Sequence, residues 1–341
     1  MAETTLHERP AFSPNAEKDR DLVRDLDALT EQAGMFDLDG RVQVTVTGKD
    51  RVRWLHNMVT NNVRELPLNR GNYNLVLNAQ GRILGDLYVF NRGESLLLET
   101  DRTQLDALLP TLKRFIIMDK VEMSPVETLS AVGLCGREAE KVLVKCGINA
   151  AAFEPLEVRD ATLNGVSAVL IRGPEQKPHC YELWADQKEL SRVREMLHRA
   201  GAQAVGTEAL EVWRVLRGIP LYGRDIRERD LPQETGQMQA LHFTKGCYIG
   251  QEIVERIRSR GQVHRKFTGF EFSALPAIGK SESEGRTVAE VTTAVRVPTA
   301  SGEKFFGLGY VRHEALPSGS ELDFHGVRAR VANLPFDIKL N

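Results

Sequence analysis

Lys245-Gly246-Cys247-Tyr248-Ile249-Gly250-Gln251-Glu252 packs a thiol, an amine, two glycines and a carboxylate into eight positions. Ile249, Ile253 and Ile257 recur at i, i+4 and i+8, so the spacing predicts a helix that begins within this segment. A thiol just before a helix start feels the positive end of the helix dipole, and the neighbouring lysine ammonium adds to it. Both favour the thiolate, the form that attacks and ligates. On this reading Cys247 is the reactive group and Lys245 its activator. A second reading stands beside it, in which Cys247 is a small buried hydrophobe and the glycines permit a tight turn. Just beyond, Arg256, Arg258, Arg260, His264, Arg265 and Lys266 form a basic run. It is either a receptor for a polyanionic tail or RNA, or a solvated face.

Other chemistries lack their spacing. The sequence has no H-x-x-x-H and no C-x-x-C, so no metal site is expected, and it has no G-x-x-x-x-G-K-[ST] or strand-borne G-x-G-x-x-G to cradle phosphate. Cys135, Cys146, Cys180 and Cys247, in 341 residues, read as four free thiols. Against 47 Asp and Glu stand 45 Lys and Arg, a net charge of −2, which supplies no global field for stable nucleic-acid binding. No apolar run approaches the roughly 20 residues that cross a bilayer, so no membrane contact is expected. Residues 1–20 are polar and lack the apolar core of a secretory signal, which predicts a loose leader and a cytoplasmic chain.

The elements that must position these groups are legible from periodicity. Val42, Val44 and Val46 alternate with polar residues as in a half-buried strand, and Asp50 can cap a helix through Val52, Leu55, Met58 and Val59. Residues 73–77 and 83–90, either side of Asn78-Ala79-Gln80-Gly81-Arg82, predict a hairpin. A strand over 95–99, a helix capped by Asp101 and a strand over 121–123 complete a β-α-β-β-(β)-α-β order, the pattern of ferredoxin-like modules. A similar order recurs from Thr128, with strands at 128–134, 166–171 and 180–185 and helices near 139–146 and 190–197. Thr207 starts a further helix that Gly218 ends. After Gln262, short apolar runs separated by Gly, Ser and Pro predict a small β barrel or sandwich. The fold class expected is therefore α+β. Residues 1–30 are a polar leader, 31–126 and 127–261 are two α+β subdomains that could interleave, and 262–341 are a β barrel.

The octet resembles the K-G-C-Y-x-G-Q-E signature of the YgfZ family, folate-binding proteins related to the aminomethyltransferase (T-protein) of the glycine cleavage system. The resemblance extends over most of the chain. Gly34-Met35-Phe36-Asp37 resembles the start of the shared folate-binding region, and the ten residues from Asn78 to Leu87 resemble its central hairpin. His179-Cys180-Tyr181-Glu182, the stretch 214–223 and Leu334-Pro335-Phe336 fall in family order. Three departures separate the chain from T-proteins. Cys247 stands where they carry an acid, with Gln251 in place of their usual lysine. Gly85 precedes Asp86 where they have two aspartates. Residues 1–30 lack their Gly-, Trp- and Pro-rich segment.

The resemblance implies tetrahydrofolate as ligand. A reduced pterin presents a ring N–H beside an exocyclic amine, a two-donor edge that one carboxylate can accept. The resemblance makes Glu182, beside Tyr181, the first candidate for that carboxylate and Glu234 the second. It also matches Asp86 to a T-protein carboxylate that helps move a proton near the reactive pterin nitrogens. Arg214 could pair with the aminobenzoyl-glutamate tail. Each has a plainer alternative: Glu182 as an outward strand residue, Asp86 as a solvent-facing hairpin residue, Arg214 as the polar face of a helix. The function implied is support of iron–sulfur cluster assembly or repair, including in tRNA-modifying enzymes, with assembly or client proteins as partners. The alternatives are a folate-dependent aminomethyl or methyl transferase, and a folate-sensing adaptor without catalysis.

Overall fold

A computed structural model describes residues 14–150, 152–174, 178–261, 263–283, 285–299, 302–313 and 321–338. The chain opens with α1 (Pro14–Thr30) and β1 (Gly34–Asp37). A first unit follows: β2 (Arg41–Thr47), α2 (Arg51–Met58), β3 (Gly71–Leu77), β4 (Ile83–Asn91), β5 (Leu96–Asp101), α3 (Arg102–Lys113) and β6 (Glu122–Pro125). The second contains β7 (Leu129–Cys135), α4 (Ala139–Lys145), β8 (Val158–Leu163), β9 (Val166–Arg172), β10 (Cys180–Asp186), α5 (Leu190–Arg199) and β11 (Gln203–Ala204). Helices α6 (Thr207–Arg217) and α7 (Gln251–Arg260) lead to β12 (Arg265–Phe272), β13 (Gly279–Ser283), β14 (Arg286–Thr299), β15 (Gly302–Arg312), β16 (Glu321–Phe324) and β17 (Val327–Ala332).

The valine alternation of β2 buries Val42, Val44 and Val46, and Asp101 caps α3 by accepting from the Thr103 amide. The first sheet has the order β3-β4-β5-β2-β6 and the second β11-β1-β7-β10-β9-β8. Leaving aside an extra edge strand in each (β3 and β8), both show the ferredoxin-like arrangement. In the second, however, β1 takes the place of the closing strand, pairing antiparallel with β7 from Gly34 opposite Cys135. The short β11 then adds to β1 in parallel. The units are thus interleaved, and residues 34–37 belong to the second sheet rather than to the subdomain expected over 31–126.

Two further expectations need correction. The polar leader is helical from Pro14, because Leu22, Leu26 and Leu29 recur at helical spacing and bury against Val212 and Val215 of α6; residues 1–13 lie outside the described residues. Cys135 and Cys180 are not free thiols. They stand directly opposite each other on β7 and β10 and form a disulfide across 45 residues of sequence. Cys146 is free and buried, Cys247 free and exposed.

The last six strands form one sheet, β13-β14-β15-β12-β17-β16, whose edge strands approach to make a nearly closed barrel. Its interior is filled by Phe270, Phe272, Phe324, Val291 and Val311. A register shift between Val291 and Thr293 lets the long β14 bend around it. No helix among the described residues is long and apolar enough to cross a membrane.

Candidate functional site

A cavity of about 220 Å³ opens where β4 of the first sheet, β10 of the second and the segment after α6 meet. Its lining includes Asp86, Glu182 and Arg214, three residues singled out from the sequence, together with Arg41, Tyr73, Tyr88, Gln104 and Tyr222. Strand alternation explains the selection. On β4, Gly85, Leu87 and Val89 lie under α2 and α3, so Asp86 and Tyr88 turn the other way. On β10, Glu182 turns toward the cavity, whereas its neighbours Tyr181 and Leu183 enter the core of the second unit. Tyr181 donates its hydroxyl to Glu140 at 2.9 Å and does not line the cavity.

Asp86 is held on both oxygens. The Tyr73 hydroxyl donates to Oδ2 at 2.6 Å and the Gln104 amide nitrogen to Oδ1 at 2.7 Å, while Gln104 Oε1 accepts from the Asp86 backbone N–H at 2.9 Å. Burial, reinforced by the Asp86 charge, raises the Tyr73 hydroxyl well above its ordinary range, so it remains a donor. Gly85 makes this clamp possible. A Cβ there would sit 2.8 Å from Gln104 Oε1 and 2.7 Å from a Leu108 methyl. A larger side chain at position 85 would therefore displace Gln104 or Leu108.

Arg41 pairs with the buried Glu99. Burial works against its charge, but Glu99 and Glu182 outweigh it and hold the guanidinium above its usual range. Glu182 accepts from the Trp184 indole at 2.8 Å. Arg214 reaches the cavity with its donors engaged: Glu211 takes two hydrogen bonds, at 3.0 and 2.7 Å, and Ile219 O and Asp225 one each, at 2.7 and 2.6 Å. Glu234 is elsewhere, buried beside Arg265 at the barrel junction. The cavity therefore presents two carboxylates beside flat tyrosine rings, an environment for a planar ligand with a donor edge.

The octet lies against the turn end of the β3–β4 hairpin, where Tyr248 packs with Leu75, Leu77 and Ile83. Gly250 adopts φ +82°, and a Cβ there would meet Asn78 O at 2.6 Å, so only glycine lets the octet rest on the hairpin turn. Lys245 is buried, and its ammonium donates to the carbonyls of His56, Val59 and Asn61, capping the C-terminal end of α2. Burial, with Arg64 nearby, pushes it down to about 7, while three carbonyls match the three donors that only the charged form carries. Its charge is committed to α2 rather than to the thiol. His56, also buried, accepts from the Arg64 amide through Nδ1. Burial, then the Lys245 charge, pushes it down to about 4. Cys247 is exposed and stands four residues before α7, whose first residue is Gln251. Neither Cys247 nor Lys245 lines the Asp86 cavity.

The basic run divides. Arg256 and Arg258 pair with Glu252 and Glu255 along α7, whereas Arg265 turns inward to Asp230, Glu234 and Glu290. Among the described residues no group of three or more His, Cys, Asp or Glu could hold a metal ion. Sequence reasoning missed Arg41, Tyr73 and Gln104. Tyr73 faces Tyr88 across the hairpin, diagonal to Asp86, so the predicted hairpin did contain that signal. Gln104, three residues after Asp101, reads as a capping box but turns to Asp86 instead.

The GCV_T family, described as the GCVT N-terminal domain, matches residues 1–245. The chain is 30% identical over 258 residues to the tRNA-modifying protein YgfZ of Yersinia enterocolitica, covering 72% of this chain and 74% of that one. It is 27% identical over 326 residues to an aminomethyltransferase of Geobacillus kaustophilus, covering 91% and 88%. The crystal structure of glycine cleavage system aminomethyltransferase T from Bartonella henselae matches the fold with a TM-score of 0.82 at 19% identity, over 93% of this chain and 89% of that one.

Proposed function

Because the chain belongs to the GCV_T family, we propose that it binds tetrahydrofolate in the Asp86–Glu182 cavity and, in the manner of YgfZ-type proteins, supports iron–sulfur cluster assembly or repair in client enzymes, tRNA-modifying ones among them. The observation that carries this reading is the meeting of two carboxylates from two different sheets in one tyrosine-lined cavity. Glu182 would accept the two-donor edge of the pterin. Asp86, positioned by Gln104 and Tyr73, would sit by the reactive nitrogens. At about 220 Å³ the cavity is below the roughly 300–1,000 Å³ of a drug-sized site, so it would enclose the ring and leave the tail at the mouth. Cys247 would serve separately, as an exposed thiol offered to a client cluster or to a one-carbon or sulfur adduct. One thiol cannot hold a cluster alone, which is why the partner must be a protein with its own ligands.

Calorimetric titration with tetrahydrofolate tests the first half. Binding should be lost in Glu182→Ala, weakened in Asp86→Asn and retained in Cys247→Ala; no binding by the wild type overturns it. The second half requires Cys247→Ala to lose support of cluster enzymes. A second reading, aminomethyl or methyl transfer, is favoured by the retained Asp86 and by the aminomethyltransferase relatives. It requires turnover that Asp86→Asn abolishes.

A further inference from the structure

We propose that the barrel face around Lys280, Arg265 and Arg312 is a second ligand site, for a compact, multiply charged oxyanion of the phosphate or polycarboxylate class. A cavity of about 320 Å³ lies on this face, and its lining holds four cations, Arg229, Arg265, Lys280 and Arg312, against one carboxylate, Glu290. Strand register brings them together. Lys280 stands opposite Glu290, Glu290 opposite Tyr310, and Arg265 opposite Arg312. Carboxylates offset the charge of Arg265, so the positive charge left for a bound anion to meet is that of Lys280 and Arg312 beside it.

The guanidinium groups are also set before any ligand arrives. Glu290 accepts two hydrogen bonds from Arg227, at 2.8 and 3.0 Å, two from Arg229, at 2.8 and 3.1 Å, and one from Arg265 at 3.4 Å. Arg265 lies over the Tyr310 ring at 4.4 Å and is tied to the buried Asp230. Lys280 and Arg312 have no carboxylate partner among the described residues. Counting Arg227 with the lining cations and Asp230 and Glu234 with Glu290, five positive groups face three negative ones. Fixed arginine forks beside two uncommitted cations in a concave wall suit an oxyanion with several charged oxygens. The site does not touch the Asp86 cavity and does not depend on folate binding.

The test titrates inorganic pyrophosphate and, separately, citrate into the full-length, folate-free protein at 150 mM salt. Heat of binding and thermal shift are both read. Saturable binding of at least one anion is expected, tighter pyrophosphate assigning the phosphate class and tighter citrate the carboxylate class. The Lys280→Ala/Arg312→Ala variant should bind at least about tenfold more weakly and lose the anion-induced rise in Tm. An Arg256→Ala/Arg258→Ala control, equally rich in lost charge, should bind as wild type. Absence of saturable binding to either anion, or equal weakening in both variants, overturns the proposal.

Discussion

Gln104→Leu removes the clamp on Asp86 while keeping a side chain of similar bulk against Leu108. Two hydrogen bonds disappear, one to a carboxylate oxygen at 2.7 Å and one from the Asp86 amide at 2.9 Å. A bond to a charged group contributes about 1.5–3 kcal/mol net, and a partly buried N–H left without an acceptor costs about 1–3 kcal/mol. Asp86 keeps the Tyr73 hydroxyl and borders a cavity that water can enter, which places the sum at the low end. The expected loss is about 2–3 kcal/mol. Urea unfolding should show it as a lower midpoint with an unchanged slope, since no surface exposed on unfolding is altered. Tetrahydrofolate affinity should fall about tenfold as the carboxylate loses its fixed direction. A stability loss under about 0.5 kcal/mol would refute the view that Gln104 anchors the site.

Acid should destabilise the protein through His56. Its folded pKa is pushed down to about 4, against about 6.5 unfolded, so between these values the unfolded chain binds a proton the native state refuses. Lowering the pH from 6.5 to 4 should drain about 3 kcal/mol through this group, whose own share is nearly complete there while carboxylates held low, such as Glu290, add their losses; His56→Asn should flatten that limb of the urea-stability profile, and equal slopes in both proteins contradict the assignment. Gly250→Ala forces a left-handed backbone and a contact with Asn78 O, and should cost at least about 2 kcal/mol; an unchanged Tm argues against the octet resting on the hairpin. Thiol titration should count one fast cysteine in the native protein, two after denaturation and four after reduction. Four without reductant would deny the Cys135–Cys180 bond.

Periodicity exposed several elements whose burial is one-sided. The valines of β2, the hairpin of β3 and β4, and the leucines of α3 and α5 all repeat at the spacing of the face they bury. Alternation also separates Glu182 from Tyr181, since adjacent strand residues face opposite ways and only one of the two can reach a cavity. Long-range pairing leaves no such trace. The four residues of β1 carry no period that names the second sheet as their partner, and two cysteines 45 positions apart meet only because of strand register. In α1 the apolar positions 22, 26 and 29 keep helical spacing, but the polar residues before them mask it. The buried ammonium of Lys245 defeats the prior that lysines are exposed, because its cost is offset by three carbonyls contributed from a distant helix end.

Interleaving also fixes an order of events during synthesis. The first unit is continuous from Arg41 to Pro125, so its sheet can close as soon as that stretch has left the ribosome. Strand β1 emerges earlier but has no strand neighbour until β7 follows, and the leucine face of α1 waits for α6 to cover it. The nascent chain must therefore carry an unpaired strand and an apolar helix face past a finished unit before the second can be sealed from both ends of its sequence. Truncating the protein from its start would accordingly damage the half that is made later.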